Sequence, residues 1–130
     1  MFAAQVRVLY CDTDQMGVVN NVHYLRYFEI GRAELIRARG RAYKEIEAQG
    51  FRLPVVEAHL KYKEPARYDD LLNIETTPSD VRAATVTFRY AIRRASDGAL
   101  LCEGSTVHAC LGPDNKLRRF PDDLLQMLRP

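Results

Sequence analysis

Two carboxylates, Asp12 and Asp14, lie in a short loop directly before the longest helical pattern in the chain. A carboxylate can act as a general base or as a nucleophile, and the unpaired peptide N–H groups of a first helical turn attract a developing negative charge. Gly17 follows in the same loop and can supply a positive φ or a close backbone approach to a ligand. The stretch Tyr10–Glu29 therefore predicts a site for acid–base or nucleophilic chemistry, and we expect the rest of the chain to be its scaffold.

The residue types alone leave several roles open in this stretch. Asp14 can be the catalytic carboxylate or can merely cap the turn, whereas Asp12 is expected to brace the loop. Cys11 is a candidate nucleophile, but no partner histidine is indicated, and a cysteine that ends an apolar strand is usually a small buried residue. His23, near the start of the helix, can be a base or an exposed side chain.

Four further ionisable residues are assigned structural rather than catalytic roles. His59 and His108 fall in separate predicted strands and are too scattered to indicate a metal site. Glu29 and Arg32 are three positions apart on the helix, which favours an ion pair on the helix surface or at a dimer contact.

The element that must position the loop is a helix predicted from Val22 to Arg39. Its apolar residues recur at spacings of three or four, and charged residues occupy another side. Asn20 or Asn21 is a favoured N-cap, and Gly40 is a suitable end. Shorter helices are predicted at Arg41–Gln49 and Pro121–Leu128.

Alternating apolar and polar residues predict strands at Gln5–Cys11, Val55–Lys63, Leu71–Thr77, Ala83–Arg94 and Leu100–Leu111. The second strand has a clean apolar face, and the last is expected to point Val107, Ala109 and Leu111 inward. Pro78–Asp80 is expected to break the pattern, and Ser96–Gly98 to form a hairpin turn. The order β–α–β–β–β–β predicts an α+β fold in which one long helix lies across one curved antiparallel sheet.

The bulk composition is that of a single globular domain, residues 1–130, with 47% hydrophobic and 28% charged residues. A formal net charge of +2 argues against a dedicated nucleic-acid binder, and no apolar run approaches the ~18 residues of a membrane span. Three cysteines without a spacing framework, and the lack of a signal peptide, predict a cytoplasmic protein with reduced thiols. The last two predicted strands are too long to be ideal blunted sheet edges, so we expect at least a dimer.

Several segments resemble the signature of the hotdog-fold acyl-CoA thioesterases, in the subgroup that contains the 4-hydroxybenzoyl-CoA and Tol–Pal-associated thioesterases. The most specific segment comprises Asp12-Thr-Asp14, Gly17, Val19–Asn21, Tyr24-Leu25, Phe28-Glu29 and Arg32. Tyr62–Leu71 resembles the second segment of the family, and Phe88–Tyr90 and Gly104–Leu111 resemble parts of its last two long strands. The resemblance runs from about Val6 to about Pro121.

The resemblance implies a hotdog fold, homodimers or homotetramers, active sites between subunits, and hydrolysis of an acyl-CoA without a cofactor or metal. It aligns Asp14 with the family's catalytic carboxylate, which acts as a base for water or as a nucleophile that forms a mixed anhydride. It also puts the peptide N–H of Asn21 where the family polarises the thioester carbonyl. Many members have a Tyr-His pair in place of Asn20 and Asn21, and an amide keeps a hydrogen bond but cannot shuttle protons.

The expected substrate contacts combine the matched loop and helix with basic residues that can meet the phosphates of coenzyme A: Gly17, Val19, Tyr24, Lys61, Lys63 and Arg67. Further basic candidates are Arg89, Arg93, Arg118 and Arg119. Two other interpretations stay open, a thioesterase for acyl carrier proteins and a non-catalytic hotdog module that binds acyl groups or partners. A hotdog dehydratase is disfavoured, because no histidine stands at the matching position. Asp14 discriminates between enzyme and module, and the acyl group itself is not fixed by these residues.

Overall fold

The computed structural model describes residues 1–129. Within them, one antiparallel sheet contains β1 (Phe2–Arg7), β2 (Val55–Tyr62), β3 (Leu71–Ser79), β4 (Thr85–Arg94) and β5 (Leu100–Ala109). The helices are α1 (His23–Ala38), α2 (Tyr43–Ala48) and α3 (Asp122–Leu128), and a 3-10 turn spans Tyr10–Asp12. The strand order β1-β3-β4-β5-β2 makes β1 and β2 the edges, and α1 packs mainly on β1, β3 and β4. None of the helices in the described range combines the length and apolar character needed to cross a bilayer.

Helix α1 buries one stripe of its surface, formed by Tyr24, Tyr27, Phe28, Gly31, Leu35 and Ile36. The predicted helical periodicity is confirmed, and the helix is one residue shorter at each end than the predicted range 22–39. Its backbone comes closest to the sheet at Gly31, where a Cβ would lie 2.5 Å from Thr76 Oγ1 and 2.7 Å from Ile74 Cγ2. A side chain at this position would push α1 away from β3, because the interior is already close-packed.

The central strands form the sheet side of the core as predicted. The buried residues of β3 and β4 include Leu72, Ile74, Thr76, Val86, Phe88, Tyr90 and Ile92. Phe28 of α1 stacks on Tyr90 with ring centroids 4.1 Å apart, which joins the helix to the middle of the sheet. The predicted hairpin joins β4 to β5, where the Gly98 N–H donates to the Arg94 carbonyl at 2.8 Å.

The predicted inward face of the last strand holds for Ala109, which is buried, and is wrong for Val107 and Leu111. Thr106 and His108 of β5 are buried on the helix side of the sheet, whereas Val107 is half-buried on the other side. The polar side chains are accommodated because they bond to one another: Thr106 Oγ1 lies 2.6 Å from the Tyr90 hydroxyl and 2.8 Å from His108 Nε2. Leu111, also predicted to point inward, lies beyond the end of the strand.

The predicted first strand, Gln5–Cys11, is also displaced. Pairing of β1 with β3 covers only Phe2 to Arg7, and the chain then enters the 3-10 turn. Cys11 lies in that turn and is exposed, so the expectation of a small buried cysteine is wrong.

Strand β3 continues through the break predicted at Pro78 and ends at Ser79. Its last pair with β1 is at Thr76, so at Pro78 it has a neighbour only on the β4 side. A proline is tolerated at such a position because the hydrogen-bonded ladder on one side has already ended.

Strand β2 is an edge strand whose apolar face is largely uncovered. Val56 is 56% exposed and Tyr62 is 50% exposed, Ala58 is exposed, and Leu60 is only half-buried. The predicted half-buried face is therefore wrong for the single chain, because α1 covers the other half of the sheet. The two long strands expected to be poor edges, β4 and β5, are interior strands, and the edges are the shorter β1 and β2.

Candidate active site

A surface groove of about 430 Å³ brings together the acidic loop, the start of α1 and the end of β2. Predicted site residues that line it are Asp14, Val19, Asn21, Tyr24 and Lys63. Its remaining lining residues are Met16, Val18, Tyr62, Glu64 and Pro65. The groove therefore gathers both predicted catalytic residues, whereas Gly17, Lys61 and Arg67 lie outside its lining.

Asp14 lies in a tight loop that is held by its own backbone. The Asp14 N–H donates to the Val18 carbonyl at 2.9 Å, and the Gly17 N–H donates to the Asp14 carbonyl at 2.9 Å. Gly17 adopts φ +78° in open space, so its role is to close this turn. Asp14 Oδ1 accepts the Met16 N–H at 2.8 Å, whereas Oδ2 has no hydrogen-bond partner within residues 1–129. One oxygen of a half-buried carboxylate is thus free to meet water or substrate.

The peptide N–H of Asn21 is left free where α1 begins. Asn20 caps the preceding turn: its side-chain oxygen accepts the Val22 N–H at 3.2 Å, and its carbonyl accepts the His23 N–H at 3.0 Å. For the Asn21 N–H, no acceptor lies in range in the described part of the chain. A free donor at the positive end of a helix is suited to stabilise an oxyanion.

Asp12 ties the loop to the helix. Its Oδ2 accepts the Leu9 N–H at 3.1 Å and the Tyr27 hydroxyl at 2.8 Å, and its Oδ1 accepts Arg26 at 2.6 Å. Burial acts to raise the pKa of Asp12, but the hydrogen bonds from Tyr27 and Leu9 and the charge of Arg26 outweigh it and hold the pKa below its usual range. The side chain is 2% exposed, so these contacts fit the predicted bracing role. His23 Nδ1 is 3.9 Å from Oδ1, too far for a hydrogen bond.

The second wall of the groove is the turn that follows β2. The Tyr24 hydroxyl accepts the Ala66 N–H at 3.3 Å, and the Ala66 carbonyl accepts the Val19 N–H at 2.8 Å. Arg94 donates to the Pro65 carbonyl at 3.0 Å from the neighbouring strand. Tyr24 and Val19 are therefore buried wall residues that fix the width of the groove.

Tyr62 is a site residue that the sequence analysis missed. Its ring packs edge to face on Tyr24, with centroids 5.3 Å apart, and its hydroxyl donates to the Asn21 carbonyl at 3.4 Å. The available signal was its position, because Tyr62 is the last apolar residue of β2 and opens the second segment of the family resemblance. The alternating pattern puts Tyr62 on the apolar face of the second strand, which suggests burial. Because β2 is an edge strand, Tyr62 instead lies in the groove.

The basic residues expected to meet coenzyme A do not form one cluster. Lys63 lines the groove and lies 3.6 Å from Glu103. Lys61 lines a separate cavity of about 560 Å³ together with Arg89. Arg67 is exposed in the turn after β2 and lines neither.

The sequence matches the profile of the Thioesterase-like superfamily over residues 8–128. It is 32% identical over 126 residues to the acyl-CoA thioester hydrolase YbgC of Escherichia coli O6:H1, covering 96% of this chain and 93% of that protein. It is 34% identical over 111 residues to the acyl-CoA thioesterase YbgC of Haemophilus influenzae, covering 85% and 80%. The crystal structure of a hypothetical protein, TT1821, from Thermus thermophilus has a TM-score of 0.92 and 34% identity, covering 97% of this chain and 95% of that chain.

One long helix lying across a sheet in the order β1-β3-β4-β5-β2 is the hotdog fold, which these comparisons bear out. The profile covers nearly all of the described residues, and relatives above 30% identity are matched over most of their own length. The chain belongs to the Thioesterase-like superfamily.

We expect Asp12→Asn to destabilise the fold near neutral pH and to destabilise it less near pH 3. The folded-state pKa of Asp12 lies below its unfolded value of 3.8, so the carboxylate contributes stability above that value and loses it as the pH falls through the folded pKa. The expected loss near neutral pH is about 2 kcal/mol, because the asparagine has no charge for Arg26. Urea unfolding at both pH values measures it.

Asp14→Asn is the matched control for this experiment. This variant alters a carboxylate two positions from Asp12 that has one unbonded oxygen. The amide oxygen of the new asparagine can still accept the Met16 N–H. This control should lose little stability at either pH. Equal losses for Asp12→Asn at both pH values would contradict the charged bracing role.

Proposed function

We propose that this protein is an acyl-CoA thioesterase that hydrolyses an acyl-CoA thioester to the free acid and coenzyme A. One observation supports the proposal most strongly: Asp14, with a free carboxylate oxygen, and Asn21, with a free peptide N–H, line the same groove. The names of the relatives support the substrate class. A non-catalytic acyl-binding module would not need a carboxylate ahead of the helix.

In the proposed reaction, Asp14 accepts a proton from water, and the water oxygen bonds to the thioester carbonyl carbon. The carbonyl electron pair moves onto oxygen, where the Asn21 N–H donates to the oxyanion. Collapse of the tetrahedral intermediate breaks the C–S bond. The thiolate of coenzyme A leaves and takes the proton that Asp14 accepted from water. In the alternative route Asp14 itself attacks the carbonyl carbon and forms a mixed anhydride, which water then hydrolyses.

We expect Asp14→Asn to lower kcat by about 10²–10⁴-fold while the protein stays folded. The amide neither accepts the proton nor attacks the carbonyl, but it keeps the hydrogen bond to Met16. Release of free thiol from a panel of acyl-CoAs measures turnover, and thermal unfolding checks the fold. Turnover close to that of the unaltered protein would remove Asp14 from the mechanism.

Asp69→Asn is the control for the loss of one negative charge outside the groove. Asp69 is exposed and has φ 69°, a conformation that asparagine adopts readily, so turnover should not change. A single turnover in water enriched in heavy oxygen detects the nucleophilic route. Label in the Asp14 side chain identifies that carboxylate as the nucleophile, because the label enters there when water opens the anhydride at the Asp14 carbonyl.

Proline at position 21 should cost about 10²-fold or more in kcat, whereas Asn21→Ala should retain most activity. The proline variant deletes the peptide donor, and the alanine variant keeps it. The same thiol-release assay compares the two, and circular dichroism establishes that the proline variant is folded. Small and equal effects in two folded variants would exclude this N–H as the oxyanion donor.

We further propose a homodimer that pairs the β2 edges of two chains, with a homotetramer of two such dimers as the alternative. The Lys63 N–H donates to the Leu101 carbonyl of β5 at 2.8 Å, and bonding directions alternate along a strand. The peptide groups of Ala58 and Leu60 therefore point to the open edge. An edge of this kind, next to an uncovered apolar face, is normally paired or covered.

Subunit mixing should restore about a quarter of the full activity if each site uses both chains. Asp14→Asn is mixed with an inactive variant altered only on the partner side, for which Lys61 and Arg67 are our candidates. Random reassembly makes roughly half the dimers mixed, each with one intact site of two. No recovery despite demonstrated exchange would mean that one chain builds the whole site.

A proline at Ala58 tests the edge itself. It removes a peptide N–H from the open edge without breaking the ladder to β5, so light scattering should show dissociation, while Ala58→Gly keeps the donor and should stay assembled. A fully active monomer at nanomolar concentration would refute the dimer.

We also propose a cytoplasmic location and a contact of the coenzyme A phosphates with Lys63. The three cysteines are free thiols, which supports a reducing compartment. Lys63 is the basic residue of the predicted set that lines the groove, and its present partner, Glu103, is half-exposed and 3.6 Å away.

A further inference from the structure

A further cavity, of about 530 Å³, lies between the middle of α1 and the start of β2. Its apolar wall is formed by Ile30, Ala33, Ile36, Leu53, Pro54 and Phe88. It shares no lining residue with the groove that holds Asp14. The proposed reaction leaves this cavity without a role.

Arg32 is the unusual group in its wall. The side chain is only 18% exposed, yet the one carboxylate within 4 Å of it in residues 1–129 is that of Glu29, at 3.8 Å and 69% exposed. That distance is too long for a hydrogen bond. The Tyr90 hydroxyl is a neutral neighbour of the guanidinium. A guanidinium has five N–H donors, and burying its charge without a close anionic partner is costly. An anion in the cavity would supply the missing counter-charge.

The other charged groups of the cavity do not compete for this role. Arg37 and Glu34 pair with each other at the rim. The pKa of His108 is lowered to about 4, first by burial and then by the charge of Arg32, so the ring is neutral at ordinary pH. Arg32 is therefore the available cation of the cavity.

A buried chain of hydrogen bonds holds the floor beside Arg32. His108 Nδ1 lies 2.8 Å from the Leu53 carbonyl, which can only accept, so Nδ1 carries the proton and Nε2 accepts from Thr106. Thr106 in turn accepts from the Tyr90 hydroxyl at 2.6 Å. Burial raises the pKa of Tyr90, and the charge of nearby Arg32 and its contact with the hydroxyl oppose that rise. Each polar group of the floor is thus committed, and the floor is rigid.

The cavity and the groove lie at opposite ends of β2 within one chain. Val55 lines the cavity and Tyr62 lines the groove, seven residues and about 23 Å apart along a strand. A two-fold, antiparallel pairing of two β2 edges brings the start of β2 in one chain beside the end of β2 in the other. The cavity of each chain then adjoins the catalytic groove of the other, a step that rests on the proposed function and dimer.

We propose that this cavity takes the acyl part of the thioester bound in the partner's groove, and that Arg32 selects acyl groups that end in a carboxylate. The apolar wall accommodates a methylene chain or ring, and the guanidinium pairs with the carboxylate through two parallel hydrogen bonds. Arg32 is a specificity residue in this assignment and takes no part in bond breaking.

Matched acyl-CoA pairs that differ only at the far end test the assignment: hexanoyl-CoA against adipoyl-CoA, and decanoyl-CoA against sebacoyl-CoA. The unaltered protein should prefer the carboxylated member of at least one pair by about tenfold or more in kcat/KM. Arg32→Gln should abolish that preference. Lys44→Gln, which removes an exposed charge from α2 outside the cavity, should keep it. Equal rates within both pairs, or a preference that survives in Arg32→Gln, would overturn the proposal.

Two further measurements keep the test decisive. Ala33→Leu fills the cavity but keeps Arg32, so it should lower kcat/KM for sebacoyl-CoA more than for acetyl-CoA even if Arg32→Gln fails to fold. Calorimetric titration of the Asp14→Asn variant with sebacoyl-CoA and decanoyl-CoA measures the selectivity of binding with turnover suppressed. Failure of the unaltered protein to hydrolyse any acyl-CoA would count against the thioesterase proposal, whereas equal binding of these two thioesters would count against Arg32 alone.

Discussion

The buried carboxylate of Asp12 is the constraint on which the rest of the site depends. It accepts a backbone N–H from Leu9, just before the 3-10 turn, and side-chain donors from the first turns of α1, so loop and helix cannot move independently. A charge removed from water must be matched by hydrogen bonds, and here the matching groups come from two elements. The loop that carries Asp14 is fixed because Asp12 is satisfied.

The two carboxylates of the loop have different roles because their hydrogen-bond partners differ. Asp12 has both oxygens bonded and is committed to structure. Asp14, two positions later, has one oxygen bonded to the backbone of its own turn and one oxygen free. The Asn21 N–H completes the arrangement because the Asn20 side chain satisfies the next donor along the chain, at Val22.

The uncovered half of the sheet has the same origin as the buried core. Helix α1 lies over β1, β3 and β4, and its approach at Gly31 fixes that placement. The β2 edge and the cavity beside it are therefore left open, because α1 packs over the strands at the other edge of the sheet. The polar row of Tyr90, Thr106 and His108 stiffens the strands below this opening.

The sequence by itself determined α1, the phase of β3 and β4, and the acidic loop that precedes the helix. These follow from local causes, since apolar spacing, capping residues and turn residues act within a few positions along the chain. The family resemblance added the hotdog topology and the choice of Asp14 and the Asn21 peptide N–H, which local periodicity does not specify.

Only the tertiary structure decided the inward face of β5, the exposure of β2 and Cys11, and the place of Tyr62 in the groove. His108 points inward because Thr106 and the Leu53 carbonyl satisfy its nitrogens, and those partners are known only once the strands are paired. Tyr62 is exposed because β2 ended at an edge of the sheet. Strand order and the pairing of buried polar groups depend on contacts between residues far apart in the chain. An alternating apolar pattern is the same in an edge strand and in an interior strand, so it does not distinguish them.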